Sequence, residues 1–293
     1  MPLPVLDNRN SNAAAATGKA VTLWQGTTDS YTTGSNWSNG VPAAGGFVYF
    51  ASNNQDVGNS DQVAVNLREF RVAESYGGTL GAGTLKISAT TMVLASSRCA
   101  VGINPFVEDL HIVAMPRSIN FSGGRINRLH LHTTTGVLTI GRATINQIVS
   151  APGSTQVTIG ANVTSDNPLA SAAGPYDVRI GRGSRATAAA PMNFVNASGS
   201  FESSATIANA SANGRVGQIE SSGSAITTLT LNGGSLLLKD SDTNATLTIT
   251  NGTINSGRIL SGDSNRRVTN TNPMTVQGEV QVRLTSGQTV TLA

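Results

Sequence analysis

Short segments that alternate between apolar and polar residues recur along most of the chain. In residues 225–232, Leu229 and Leu231 alternate with threonines. Because successive side chains of a strand point to opposite faces, we expect the two leucines to face a core and the threonines to face solvent. A strand this short cannot cover a core alone. The pattern therefore predicts many strands that share one continuous apolar interior.

The alternating segments also repeat at a nearly fixed spacing. Residues 126–141 align without a gap with residues 145–160, an offset of 19 that places Leu138 on Val157. Repeats of this length are typical of solenoids, in which each repeat is one coil that stacks on the next. Gly and Asn between the segments suit the corners of such coils, since both tolerate positive φ.

A second internal match has a slightly shorter offset, of 18, and places Leu229 on Leu247 and Leu231 on Ile249. Together the two matches predict an all-β fold, a right-handed parallel β-helix with coils of about 19 residues. A β-sandwich or jelly roll remains the alternative, because it too is built from many short strands separated by turns.

Large aromatic residues concentrate near the N-terminus and predict a cap over the first coil. The chain has two tryptophans, and both fall in this block with two tyrosines: Trp24, Tyr31, Trp37 and Tyr49. The predicted domains are a flexible arm at residues 1–18, the aromatic cap at 19–62 and the solenoid at 63–293. As candidate residues for docking on a partner we select five positions in the arm and cap: Pro2, Pro4, Trp24, Trp37 and Pro42.

Composition and charge exclude several functions. Charged residues make up 12% of the chain, against about 25% in ordinary domains. The formal net charge of +3 is spread along the chain, so we expect neither nucleic acid nor membrane as a partner. The single cysteine, Cys99, cannot form an internal disulfide and is expected to be a buried apolar residue. The N-terminal residues lack the basic and apolar regions of a secretory signal, so we expect no export by that route.

The polar residues do not form a recognisable catalytic motif. His130 and His132 share one strand face and His111 matches His130 in the repeat, a pattern that favours a polar ladder over a metal site. Glycan-cleaving enzymes need paired carboxylates, and here the acids are scattered. An enzyme would require distant acids to converge, of which we name three: Asp177, Glu202 and Glu220. We therefore predict a protein without catalytic residues, metal or cofactor.

Three stretches carry a resemblance to known families. The opening, from Trp24 through Asn36-Trp37 to Gly40-Val41-Pro42, resembles the start of β-helical passenger and adhesin-like proteins. The later phrases at 226–234 and 268–272 are similar to the repeats of β-helical virion proteins of tailed bacteriophages. The absence of a recognisable signal favours the second group, since virion proteins are made in the host cytoplasm.

The phage resemblance implies a non-enzymatic structural protein of the virion. We expect a capsid decoration or cement protein that stabilises the particle, binds the major capsid protein or other virion proteins and forms a homo-oligomer, with a trimer favoured. A head or tail fibre is the alternative within this class. The other alternative is an adhesin-like glycan-binding module, which predicts exposed aromatics along the solenoid. Beyond residue 76 the sequence offers five: Phe106, Phe121, Tyr176, Phe194 and Phe201.

Overall fold

The structure, a computed structural model, describes most of the chain. The described residues are 21–58, 65–133, 135–164, 177–179, 185–188, 192–197, 200–203, 207–213, 218–221, 223, 225–238, 246–261 and 267–283. They contain no α-helix and one short 3-10 turn, Gly34–Asn36. The predicted arm at 1–18, with Pro2 and Pro4, lies outside them.

The described residues form twenty strands. In chain order they are β1 Val21–Leu23, β2 Phe47–Phe50, β3 Leu67–Val72, β4 Thr79–Leu94, β5 Ala100–Ile112, β6 Ser118–Phe121, β7 Arg125–Leu131, β8 Val137–Ser150, β9 Gln156–Thr164, β10 Asp177–Arg179, β11 Arg185–Ala188, β12 Met192–Ala197, β13 Ser200–Ser203, β14 Ile207–Asn213, β15 Gln218–Ser221, β16 Ala225–Leu238, β17 Thr246–Ser261, β18 Arg267–Asn270, β19 Thr275–Val276 and β20 Val280–Arg283. They stack as a parallel β-solenoid of about eight turns. The predicted parallel β-helix is thereby confirmed. Because parallel pairing relates each strand to its neighbour one coil away, the structure excludes the β-sandwich.

The chain divides into two compact units, Met1–Ile126 and Asn127–Ala293. In the first unit, each of the strands β1 to β5 pairs in parallel with the strand that follows it. The spacing between paired residues varies: Phe47 pairs with Glu69, 22 positions on, and Ala100 pairs with Ser118, 18 positions on. Coil length in this unit is therefore not uniform.

In the second unit, the long strands bend around a three-sided coil. The successive parts of β17 pair with three different strands: the part at Thr246 with β18, the part at Thr253 with β19 and the part at Gly257 with β20. The strand β16 pairs with β17 along all three parts. One strand of 16 residues thus supplies all three sides of a coil.

The interior of the second unit is aliphatic along β16 and β17, as the alternation predicts. Leu229 and Leu231 have no exposed surface, whereas Thr228 and Thr230 between and beside them are half-buried. Leu231 stacks on Ile254 of the next coil. At about 25 cal/mol per Å² of buried apolar surface, such stacked columns supply most of the stabilisation of each coil.

The first internal match, at an offset of 19, is confirmed, and the second, at 18, is wrong. Leu138 pairs with Val157 and Ile140 with Ile159, both 19 positions apart. Leu229, however, pairs with Gly252 rather than Leu247, because the paired positions there lie at an offset of 23. Leu247 also faces the interior, but from a different side of the coil. An apolar match in sequence identifies inward positions without showing which side of the coil they occupy.

Candidate functional site

The aromatic block forms a packed cluster beside the first strand. The Trp24 and Trp37 rings lie 4.8 Å apart, edge to face, and Tyr31 meets Trp37 at the same distance. Phe50 continues the cluster, with its ring 5.5 Å from Trp24 and 5.1 Å from Phe70. Edge-to-face pairs contribute about 0.5–1.5 kcal/mol each beyond the area they bury. The predicted aromatic cluster near the N-terminus is thus confirmed.

Hydrogen bonds hold both indole rings in place. The Trp24 Nε1 donates to the carbonyl of Gln55 at 3.2 Å, and the Trp37 Nε1 donates to that of Tyr31 at 2.7 Å. The Tyr31 side chain is 2% exposed, and its hydroxyl has no hydrogen-bond partner among the described residues. Burial raises the pKa of this phenol well above its usual range. The cluster therefore contains one polar atom that burial penalises.

Asn36 organises the loop that closes the cluster. The residue is fully buried. Its Oδ1 accepts from the backbone N–H groups of Thr27 and Thr28 at 2.8 and 3.1 Å, and from the Thr27 hydroxyl at 2.8 Å. Its Nδ2 donates to the Thr28 hydroxyl at 2.8 Å and to the Ser30 carbonyl at 2.7 Å. A buried amide with every group satisfied fixes one loop conformation.

The residues after this loop cover the open edge of β1. Ser38 accepts from the Leu23 N–H through its hydroxyl at 2.9 Å, and its own N–H donates to the Leu23 carbonyl at 3.0 Å. The Asn39 side-chain amide donates to the Val21 carbonyl at 2.9 Å. An uncovered strand edge can pair with another chain and so lead to aggregation. The loop therefore closes this edge of the first coil.

The residues selected for docking are placed as follows. Trp24 and Trp37 are each 3% exposed, and Pro42 is buried. These three side chains shape the cap from within. Two neighbours present apolar surface instead, with Leu23 39% and Val41 43% exposed. A role of the cap in docking stays a prediction.

The histidines and acids singled out in the sequence fall on strands or directly after one. His130 lies on β7, and His132 follows the last residue of that strand; their imidazole rings are stacked 6.0 Å apart. Burial and the neighbouring His130 lower the pKa of His132. His111 lies on β5 in the first unit. Glu202 and Glu220 occupy paired positions on β13 and β15. Asp177, the third acid, lies on β10, which pairs with β8.

A groove on the outer face of the first unit involves residues that the sequence did not single out as a group. Its volume is about 350 Å³. Ser88 on β4 pairs with Phe106 on β5 in the parallel ladder. Phe106 is 40% exposed, and the Lys86 ammonium lies 4.6 Å from the centre of its ring. The groove combines an exposed aromatic face with polar and charged side chains.

No family model matches the chain, and neither a curated protein nor a solved structure shows significant similarity to it. Among the described residues, no helix has the length and apolar character needed to cross a membrane. The features that bear on function are therefore the solenoid, its closed first coil and the groove.

Proposed function

We propose that the chain is a non-enzymatic structural protein of a bacteriophage virion, a capsid decoration or cement protein that stabilises the particle. The observation that carries the proposal is the stacked solenoid with its apolar interior, whose first coil is closed by a dedicated loop. The resemblance of residues 226–234 and 268–272 to β-helical virion proteins supports the assignment to structural proteins of the virion. A head or tail fibre also needs a stack that resists local opening and proteolysis, and it is the alternative within this class.

The solenoid suits this role because its coils are joined both inside and outside. Asparagine side chains bond between coils on the surface: Asn146 donates to Asn127 at 3.1 Å, and Asn272 donates to Asn251 at 2.8 Å. Such amide ladders add side-chain hydrogen bonds to the backbone ladder. Because each coil contacts its neighbours along its length, the stack resists local opening and proteolysis.

The capped end is the proposed docking end. Leu23 and Val41 present exposed apolar side chains there. The proposed partners are the major capsid protein or other virion proteins, with the protein assembled as a homotrimer. In solution this predicts a sedimentation mass three times that of the 30.0 kDa chain.

Co-sedimentation tests the proposal. Purified protein is mixed with phage particles from its source, or with expanded empty capsids, and separated on a gradient. We expect saturable binding at a fixed number of copies per capsid. A Leu23→Asp/Val41→Asp variant should lose binding, whereas Val137→Asp should retain it, because Val137 is an exposed apolar residue of the second unit. Protein that stays at the top of the gradient with both kinds of particle would refute the decoration role.

A further inference from the structure

The groove of the first unit lies across neighbouring coils on the outer face. Six side chains carry its chemistry: Asn66, Ser88, Thr90, Phe106, Glu108 and Arg125. The residue before β3, the middle of β4, the middle of β5 and the start of β7 each contribute. The groove therefore exists only because the coils stack in register.

Phe106 is unusual for its position. The outward positions beside it on β4 and β5 carry Lys86, Ser88 and Asn104, which are polar. Among the described residues, four large apolar side chains are exposed, and Phe106 is the aromatic one of the four. An exposed phenyl ring at a polar strand face gives a flat surface on which the C–H face of a sugar ring can stack.

The polar lining supplies hydrogen bonds around this ring. The Asn66 amide and the hydroxyls of Ser88 and Thr90 can donate and accept, as the hydroxyls of a saccharide require. The volume of about 350 Å³ lies at the lower end of the range for small-molecule sites, about 300–1,000 Å³. A groove of this size suits a short saccharide segment.

The charge around the groove is mainly positive. Lys86 lies over the Phe106 ring, and Arg125 lines the groove. The positions on either side of Arg68 in β3 pair with Ala89 and Thr91 of β4, so Arg68 lies opposite the lining residue Thr90. The Arg68 side chain is exposed. Glu108 is the carboxylate among the lining residues; it and Arg125 also interact within the protein. An excess of cations favours an anionic ligand.

We propose that the Phe106 groove is a binding site for an acidic saccharide, one that carries a carboxylate on or beside the sugar ring stacked on Phe106. In this proposal the positive charges of Lys86 and Arg68 attract the carboxylate. The hydroxyls of the sugar bind to Asn66, Ser88 and Thr90, and the sugar ring stacks on Phe106. This proposal is independent of the virion role, because the groove and the capped end share none of the residues named for them.

The test uses two acidic probes, 3′-sialyllactose and trigalacturonic acid, with lactose as the matched neutral control. Binding to the full chain is measured by saturation-transfer NMR and calorimetry. We expect saturable binding of at least one acidic probe, affinity for lactose at least tenfold weaker than for the acidic probe that binds, and weaker binding at high salt. Phe106→Ala should reduce the affinity at least tenfold, and Lys86→Ala severalfold.

Val137→Ala is the matched control, since Val137 is an exposed apolar residue of the second unit that is not among the lining residues, and its replacement should leave affinity unchanged. Phe106 is exposed enough that its replacement should keep the fold, which circular dichroism checks. The proposal is overturned if neither acidic probe saturates, if lactose binds as tightly as the acidic probe that saturates, or if a folded Phe106→Ala protein binds like the unmodified chain.

Discussion

Replacing Asn36 with Ala removes the group that holds the cap loop together. Five hydrogen bonds disappear, three accepted and two donated. The backbone N–H groups of Thr27 and Thr28 then lose their partner, and so does the Ser30 carbonyl. The alanine side chain is too small to fill the buried space, so the loop must either admit water or leave these groups unpaired.

The expected cost follows from these contacts. A hydrogen bond contributes about 0.5–1.5 kcal/mol net, and a buried group left without a partner costs about 1–3 kcal/mol. Since the loop is partly exposed, water will replace some of the lost bonds. We therefore expect Asn36→Ala to lower the free energy of unfolding of the cap by about 3 kcal/mol. With a urea dependence of about 2 kcal/mol per M, the midpoint falls by about 1.5 M.

Tryptophan fluorescence measures this loss selectively, because both tryptophans of the chain lie in the cap. A solenoid need not unfold as a single cooperative unit, so the fluorescence midpoint reports the cap alone. Tyr31→Phe is the matched control: it removes a buried hydroxyl without a partner and should leave the midpoint unchanged or raise it. Equal midpoints for Asn36→Ala and the unmodified chain, or an equal fall for Tyr31→Phe, would refute this reasoning.

Three further predictions concern the solenoid. Gly252→Ala should destabilise the second unit by about 1–3 kcal/mol, because the new Cβ would lie 2.6 Å from Met274; urea titration by circular dichroism should show partial recovery in a Gly252→Ala/Met274→Ala protein. Cys99 should react with a thiol reagent only on unfolding, because it has no exposed surface and burial raises its pKa; fast labelling of folded protein would contradict this. The free energy of unfolding of the second unit should decrease as pH falls below about 6.5 and level off below the lowered pKa of His132, since the unfolded state binds more protons in that window; His132→Gln should flatten this pH profile.

The architecture was predictable because the period-two alternation is local. Leu229 and Leu231 could be assigned to the interior from their own neighbours, and a gap-free match placed Leu138 on Val157. The match of Leu229 with Leu247 failed because a three-sided coil has inward residues on every side. Which side a residue occupies depends on corner length, and corner length leaves no alternating pattern in the sequence.

The candidate sites were predictable only in part. The clustering of Trp24 and Trp37 in sequence indicated a cap, but their burial depends on a loop held by Asn36, and a single asparagine among many gives no signal. The Phe106 groove could not be predicted from the sequence either. Its residues come from coils with different spacing, so no fixed repeat length brings Asn66, Ser88 and Phe106 into line.

The variable spacing between coils has a consequence for engineering. The strand β11 pairs with β13 at an offset of 15, whereas β16 pairs with β17 at offsets of up to 24, so the ladder tolerates extra length at its corners. The turn between β8 and β9 is one such corner, with Pro152 and Ser154 exposed. A foreign peptide grafted after Pro152 should leave the pairing of Leu138 with Val157 intact. The solenoid thus offers a rigid scaffold for displaying inserted epitopes at chosen heights along its length.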